Sequence, residues 1–464
     1  MIGQASLSLD QAPPISVPFR FFLTAPLFIF CAGLLLLIYG QDALVSRWSP
    51  VTLALTHLIT LGFLASVMCG AVMQILPVLA GSAVPASLWV SRAVHLLLTA
   101  GVILLVSAFL FSLSPWMGLA MLSLGSAFSI FVVAVAIALW RVKITNETVI
   151  GISVAIAALS ITVVLGLILA GSFIWPIGYG YIHTLTDSHM GWGVLGWIGL
   201  LVMGVAYQVV PMFQMTPEYP VWMVKYLTRS LFAACLLWGL LTITHSFSLI
   251  SPLWADCWLL LMALGYLSFA VMTLSVQKRR RRRLPDVTLK FWRIGMFSQI
   301  AAFVLWLWGP FWAEVIGEQA RLLLLGGCLI IGFALSVING MLYKILPFLS
   351  WFHLQHRSIA LLGFGCVKIP NMKEFLPDRL AKQQYIFHLL VLTLFVMAVL
   401  LPEFFSRPLG LAVCLSSLLL EYNLIQAVVR YQKINSEIST KSNAKDEMSI
   451  AEMSRMRGMN GTSA

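Results

Sequence analysis

The sequence predicts an all-α, polytopic membrane protein of about 12 transmembrane helices, built as three four-helix pseudo-repeats with both termini in the cytoplasm. Three observations carry that prediction: composition, the placement of Lys and Arg, and a glycine–proline pattern that occurs three times. Of the 464 residues, 60% are hydrophobic and 10% are charged, against about 25% charged in an ordinary soluble domain. A soluble core cannot absorb so much apolar sequence, whereas a bilayer can.

A spanning helix needs about 20 mainly apolar residues. Runs of that kind lie near 20–39, 52–79, 91–111, 117–140, 148–170, 187–213, 226–245, 252–276, 291–312, 321–349, 383–401 and 408–430. The segment 1–19 is polar and Pro-containing, does not read as a cleavable signal peptide, and is expected on the cytoplasmic side. Between Ser350 and Lys382 lies the longest connection, with room for a short amphipathic helix on the inner surface. The tail 431–464 is polar and is expected to be disordered. Seven cysteines occur singly, with no Cys-x-x-Cys pair, so neither a disulfide framework nor a thiolate metal site is indicated.

The basic residues orient the chain. With the N-terminus inside, outer loops and outer helix ends carry only Arg47, Arg321 and Arg407, Lys344 sits within helix ten, and the other 25 of the 29 fall on the cytoplasmic side. That split is the positive-inside pattern. The densest block, Lys278 to Arg283, anchors the loop between helices eight and nine at anionic headgroups. The net charge of +12 is thereby explained by topology, and nucleic acid is not expected as a partner.

Helix two carries Gly62, Gly70 and Pro77; helix six carries Gly196, Gly204 and Pro211; helix ten carries Gly332, Gly340 and Pro347. The spacings within each copy are eight and then seven. The copies also recur at a near-constant interval, since the step from Gly62 to Gly196 almost equals that from Gly196 to Gly332. At this composition one copy matches by chance with a probability of roughly 2 × 10⁻⁴. The repeat is thus four helices, with units at about 20–145, 146–290 and 291–430 inside a single membrane domain of 20–430. Transporters of the major facilitator type are built instead from two six-helix halves. The glycines allow close backbone approach in lipid. Gln74, Gln208 and Lys344 share one repeat position and are expected to satisfy carbonyls freed by the prolines.

Three four-helix units with both ends inside resemble the haem–copper oxidase subunit I superfamily. In that family a histidine opens the second helix of a unit about twenty positions before a proline, and a glycine lies seven before that proline. Similar stretches here run from Thr56-His57-Leu58 through Gly70 to Pro77, and from Ser188-His189-Met190 through Gly204 to Pro211. The opening Pro18-Phe19-Arg20-Phe21-Phe22-Leu23 also resembles that of the NnrS family, membrane proteins associated with haem and copper. The resemblance implies a redox-related protein of the bacterial cytoplasmic (inner) membrane with a redox partner subunit. The chain departs from the oxidase pattern in its third unit, where the matching positions are Leu325 and Gly327, and in helix seven, which has only His245. A degenerate oxidoreductase is therefore expected, and a competent terminal oxidase is not.

Ionisable residues at membrane depth are costly and mark functional sites, and imidazole suits haem iron and copper. Two hypotheses follow, a haem b between His57 and His189 or a copper held by His189, His245 and His183, beside the plainer reading that each histidine caps a helix or hydrogen-bonds at the interface. Asp187 is placed to orient His189 or to start its helix. His95 and His388 read as packed histidines, and His353 and His356 as solvated ones in a cytoplasmic loop. Glu421 is the one carboxylate well inside an apolar run. A transporter or permease for a small solute or metal on the same scaffold is the alternative function.

Overall fold

The computed structural model describes residues 13–143, 145–175, 179–246, 251–281, 284–359 and 367–460. Arg282 and Arg283 of the basic block and most of the N-terminal segment lie outside the described residues. Every regular element among the described residues is helical. The membrane elements are α1 (Ser16–Leu44), α2 (Pro50–Val78), α3 (Ser87–Phe111), α4 (Ser114–Trp140), α5 (Glu147–Gly171), α6 (Tyr181–Gln214), α7 (Met223–His245), α8 (Leu253–Lys278), α9 (Val287–Leu307 with Gly309–Ile316), α10 (Glu318–Ile359), α11 (Asp378–Leu400) and α12 (Pro402–Asn443). Eleven are long and apolar enough to cross a bilayer, and α9 with its bent continuation makes a twelfth. The chain is an all-α, multi-pass membrane protein whose outer helix faces meet lipid.

Local chemistry sets the helix starts. Side chains of Ser49, Asn146, Ser251 and Asp286 accept hydrogen bonds from backbone N–H groups in the first turns of α2, α5, α8 and α9. The expected straight run over 291–312 instead turns by 89° after Leu307. The turn falls at Gly309-Pro310, where proline lacks the N–H that would continue the ladder.

The glycine–proline helices share more than sequence. In each, eight residues form π-helix: Leu58–Ala65 in α2, Trp192–Gly199 in α6 and Cys328–Leu335 in α10. Their starts recur at the interval of the glycines, so that Gly62, Gly196 and Gly332 each stand fifth in the segment. A π turn bonds residues five apart. The hydroxyls of Ser66 and Ser336 likewise donate to carbonyls five residues back, Leu61 and Ile331, both at 3.3 Å.

Contacts of the glycines repeat as well. A Cβ on Gly70 would come 3.0 Å from Phe21 of α1, and one on Gly340 would come 2.7 Å from Phe291 of α9. Gly62 faces Phe28, and Gly332 faces Ser298. In the middle unit the partners sit one helical turn earlier: Gly196 meets Ala158, and Gly204 meets Gly151. At that crossing a Cβ on either glycine would lie 2.6 or 2.7 Å from the other's Cα, so the α5 and α6 backbones touch directly. Gly204→Val is expected to cost about 3 kcal/mol by overpacking, read as a lowered unfolding temperature in detergent.

The polar position shared by the repeats does not serve the proline-freed carbonyls. Lys344 pairs with Asp286 at 2.8 Å, Gln208 accepts from the Thr148 hydroxyl at 3.4 Å, and Gln74 Oε1 has no protein partner. The last helix continues past α12 to Asn460, where the sequence predicts disorder. Its continuation lies along the inner end of α10: Tyr431 bonds His353 Nδ1 at 2.9 Å, and Arg357 donates to Asn435 and Ser439. His353 is therefore packed between two helices rather than solvated in a loop. The remainder of the connection after Ile359 includes a short helix, Met372–Phe375, closed by an Asn371–Glu374 capping box.

Candidate functional site

A cavity of about 1110 Å³ lies among the helices, and α2, α6 and α10 all contribute to its wall. Its size is slightly above the range of about 300–1,000 Å³ for ligand and cofactor sites. Most of its lining is aliphatic or aromatic, with His57, His189 and His245 as its outer imidazoles.

His57 ends the regular first turns of α2 just before the π segment. Its Nδ1 lies 2.8 Å from the carbonyl of Leu53, one turn back. His189 of α6 reaches across to α5, where its Nδ1 lies 3.0 Å from the carbonyl of Thr162. A carbonyl only accepts, so Nδ1 carries the proton in both rings and Nε2 keeps its lone pair. The two ring centroids are 6.5 Å apart, and the rings are within 21° of parallel. Phe109 of α3 backs His57 at 5.5 Å. Gly166 of α5 makes room for the other imidazole, since a Cβ there would stand 2.9 Å from His189 Cε1.

With about 2 Å from metal to each nitrogen and about 1 Å more to each ring centre, two imidazoles on one metal have centroids about 6 Å apart, and the separation here is 6.5 Å. Carbonyls on both Nδ1 atoms are the orienting bonds that such ligands need.

Asp187 does not orient His189. Its Oδ1 accepts from Arg47 at 2.7 Å, tying the α1–α2 connection to the outer end of α6. Arg47 also lies over the Trp48 ring at 4.6 Å. The Asp187 side chain is half exposed, so the ion pair contributes less than about 1 kcal/mol. Asp187→Asn should leave any spectrum of the imidazole pair unchanged and lower stability by less than that amount, measured by thermal unfolding.

The three histidines expected to hold copper are not gathered. His183 lies edge-on to Trp48 at 4.7 Å, away from the cavity lining, while His245 lines the cavity from α7. Among the described residues no group of three or more His, Cys, Asp or Glu side chains could hold a metal ion. In the third unit, Gly327 stands where α2 has His57, and a Cβ on it would overlap the ring of Phe395 from α11. His95 and His388 are packed as expected: His95 Nε2 is 2.9 Å from Thr24 Oγ1, and His388 Nε2 is 2.7 Å from Ser336 Oγ.

Several contributors carry no sequence signal. Leu53 and Thr162 act through backbone carbonyls, which any residue possesses. Gly166 acts by lacking a side chain. Only Arg47, one of three outer-side cations, stands out in the charge pattern. No protein-family profile matches this chain, and no curated protein matches it.

Proposed function

We propose that this protein holds a haem b between His57 and His189, and that it serves a redox, gas-sensing or nitric-oxide-related role in a bacterial cytoplasmic membrane. The observation that carries the reading is the near-parallel imidazole pair, 6.5 Å apart, with Nδ1 of each ring held by a carbonyl. The resemblance to haem–copper oxidase subunit I and to the NnrS family supports it. A haem held there would supply one-electron redox chemistry. His57 and His189 present Nε2, Phe109 and Gly166 keep the rings in place, and the apolar wall keeps bulk water from the pair. A redox partner subunit supplies or accepts the electron. Copper at His189, His245 and His183 is not part of the proposal, because those three do not form one group. The degenerate ligand set also argues against terminal oxidase activity.

Purification from cells supplied with haem tests the reading. A Soret band with a sharp α-band on reduction is expected, in near one-to-one ratio to protein. A colourless protein with no extractable haem overturns it.

A permease function is the second reading, favoured by the size of the apolar cavity and by the third unit, which has no outer-face imidazole. Uptake of a labelled solute by proteoliposomes of haem-free protein would support it in place of the first.

A further inference from the structure

The third unit gives the cavity a wall of different chemistry. Gln299 of α9, Asn339 of α10, and Gln384 and His388 of α11 all line it, and each is at most 5% exposed. Two hydrogen bonds hold part of this group: one between His388 Nε2 and Ser336 Oγ at 2.7 Å, and one from Gln384 Nε2 to the Ser416 hydroxyl at 3.2 Å. The amide oxygens Gln299 Oε1, Asn339 Oδ1 and Gln384 Oε1 have no partner within the protein. Leaving one buried polar group unpaired costs about 1–3 kcal/mol, so three at one wall would be a heavy burden if that wall were dry.

Two of the amides belong to this unit alone. Stepping by the repeat interval, Gln299 corresponds to Ile29 and Val163, and Asn339 to Cys69 and Met203. The unit that lacks the outer histidine thus carries polar side chains where the others are apolar. Asn339 lies twelve residues beyond Gly327, the position matching His57, which is about 18 Å of helix toward the cytoplasmic side. The charged residues of the lining, Arg47, Asp187, Asp256 and Arg321, are all at the outer end. A ligand at the inner wall therefore meets neutral donors and acceptors only.

We propose that this wall is a hydration site: a cluster of ordered water molecules held by Gln299, Asn339, Gln384 and His388 at the inner end of the cavity. A buried water makes about three hydrogen bonds, and an amide side chain offers both donor and acceptor, so water satisfies the orphaned oxygens whichever way each amide is turned. The cavity then has two compartments, an outer one with the imidazole pair and the charged residues of the lining, and a wet inner one lined by neutral amides. The inner compartment does not depend on haem.

Cysteine accessibility in the full-length chain, with its seven native cysteines replaced by serine or alanine, tests this. A thiol reacts as its thiolate, which needs water. Asn339→Cys is expected to react with methanethiosulfonate ethylammonium at least tenfold faster than Val163→Cys, which lines the cavity at the position matching Gln299. Equal rates, fast or slow, overturn the proposal. Asn339→Leu, nearly the same in shape, gives a second reading. It lowers the unfolding temperature if waters are lost, and raises it if the amide was unpaired in a dry wall; a rise overturns the proposal.

Discussion

Replacing His57 or His189 by alanine is expected to abolish the haem absorption while leaving the helices folded. Each ring provides one of two Nε2 atoms, so either loss should weaken binding at least a hundredfold, equivalent to about 2.8 kcal/mol. Both side chains line the cavity, so their removal enlarges existing space and leaves helix contacts in place. Added imidazole should restore the band in His57→Gly, because the removed side chain leaves room for the free ring in the cavity that His57 lines. Rescue separates loss of a ligand from loss of structure. Gly166→Val extends the test to a residue that touches no cofactor. Its Cβ would stand 2.9 Å from His189 Cε1, so the ring must move and the Thr162 bond must break. Haem occupancy is expected to fall in this variant too. Unchanged occupancy and spectrum in both alanine variants would remove the pair from consideration as ligands.

Restoring a histidine to the third unit is expected to fail alone and succeed with a partner change. Gly327→His places a side chain in the volume that the Phe395 ring occupies, and overpacking of this kind costs about 1–3 kcal/mol or more. Phe395→Ala alone empties that volume and costs about 3–5 kcal/mol. Combined, the new imidazole fills part of the space that the phenyl leaves, so the double variant should be more stable than the sum of its parts by about 1–3 kcal/mol. Reversible unfolding in mixed detergent micelles measures all three. Strict additivity would mean that Phe395 is not what excludes a histidine from α10.

The parts of the architecture legible in the sequence are those governed by one-dimensional rules. Twelve apolar runs give twelve membrane elements, because bilayer thickness sets a minimum length. Their boundaries are less legible. The α9 bend follows from Gly309-Pro310, a signal present in the sequence but set inside a run apolar enough to read as one span. The last helix continues past residue 430 because Tyr431, Asn435 and Ser439 find partners on the inner end of α10, and composition alone reads such a segment as solvated.

At the candidate site the division is sharper. His57 and His189 stand out because imidazoles at membrane depth are rare and costly, and their distances to Pro77 and Pro211 are alike. That the two rings lie near-parallel and 6.5 Å apart, while His183 faces Trp48 instead, depends on how α2 and α6 pack. So does the partner of Asp187: it lies two positions before His189 in the chain, yet its charge meets Arg47 from another unit.

A multi-pass helical membrane protein is dictated by the chain order of the residues alone, since transfer free energy and helix rise act locally along it. The glycine positions at which helices meet are dictated in the same way. Packing decides what each glycine meets, which carbonyls hold the two imidazoles, and that Phe395 stands where a third histidine would be. Those features depend on backbone carbonyls and on empty space shared between helices distant in the chain, and neither has a side chain to announce it.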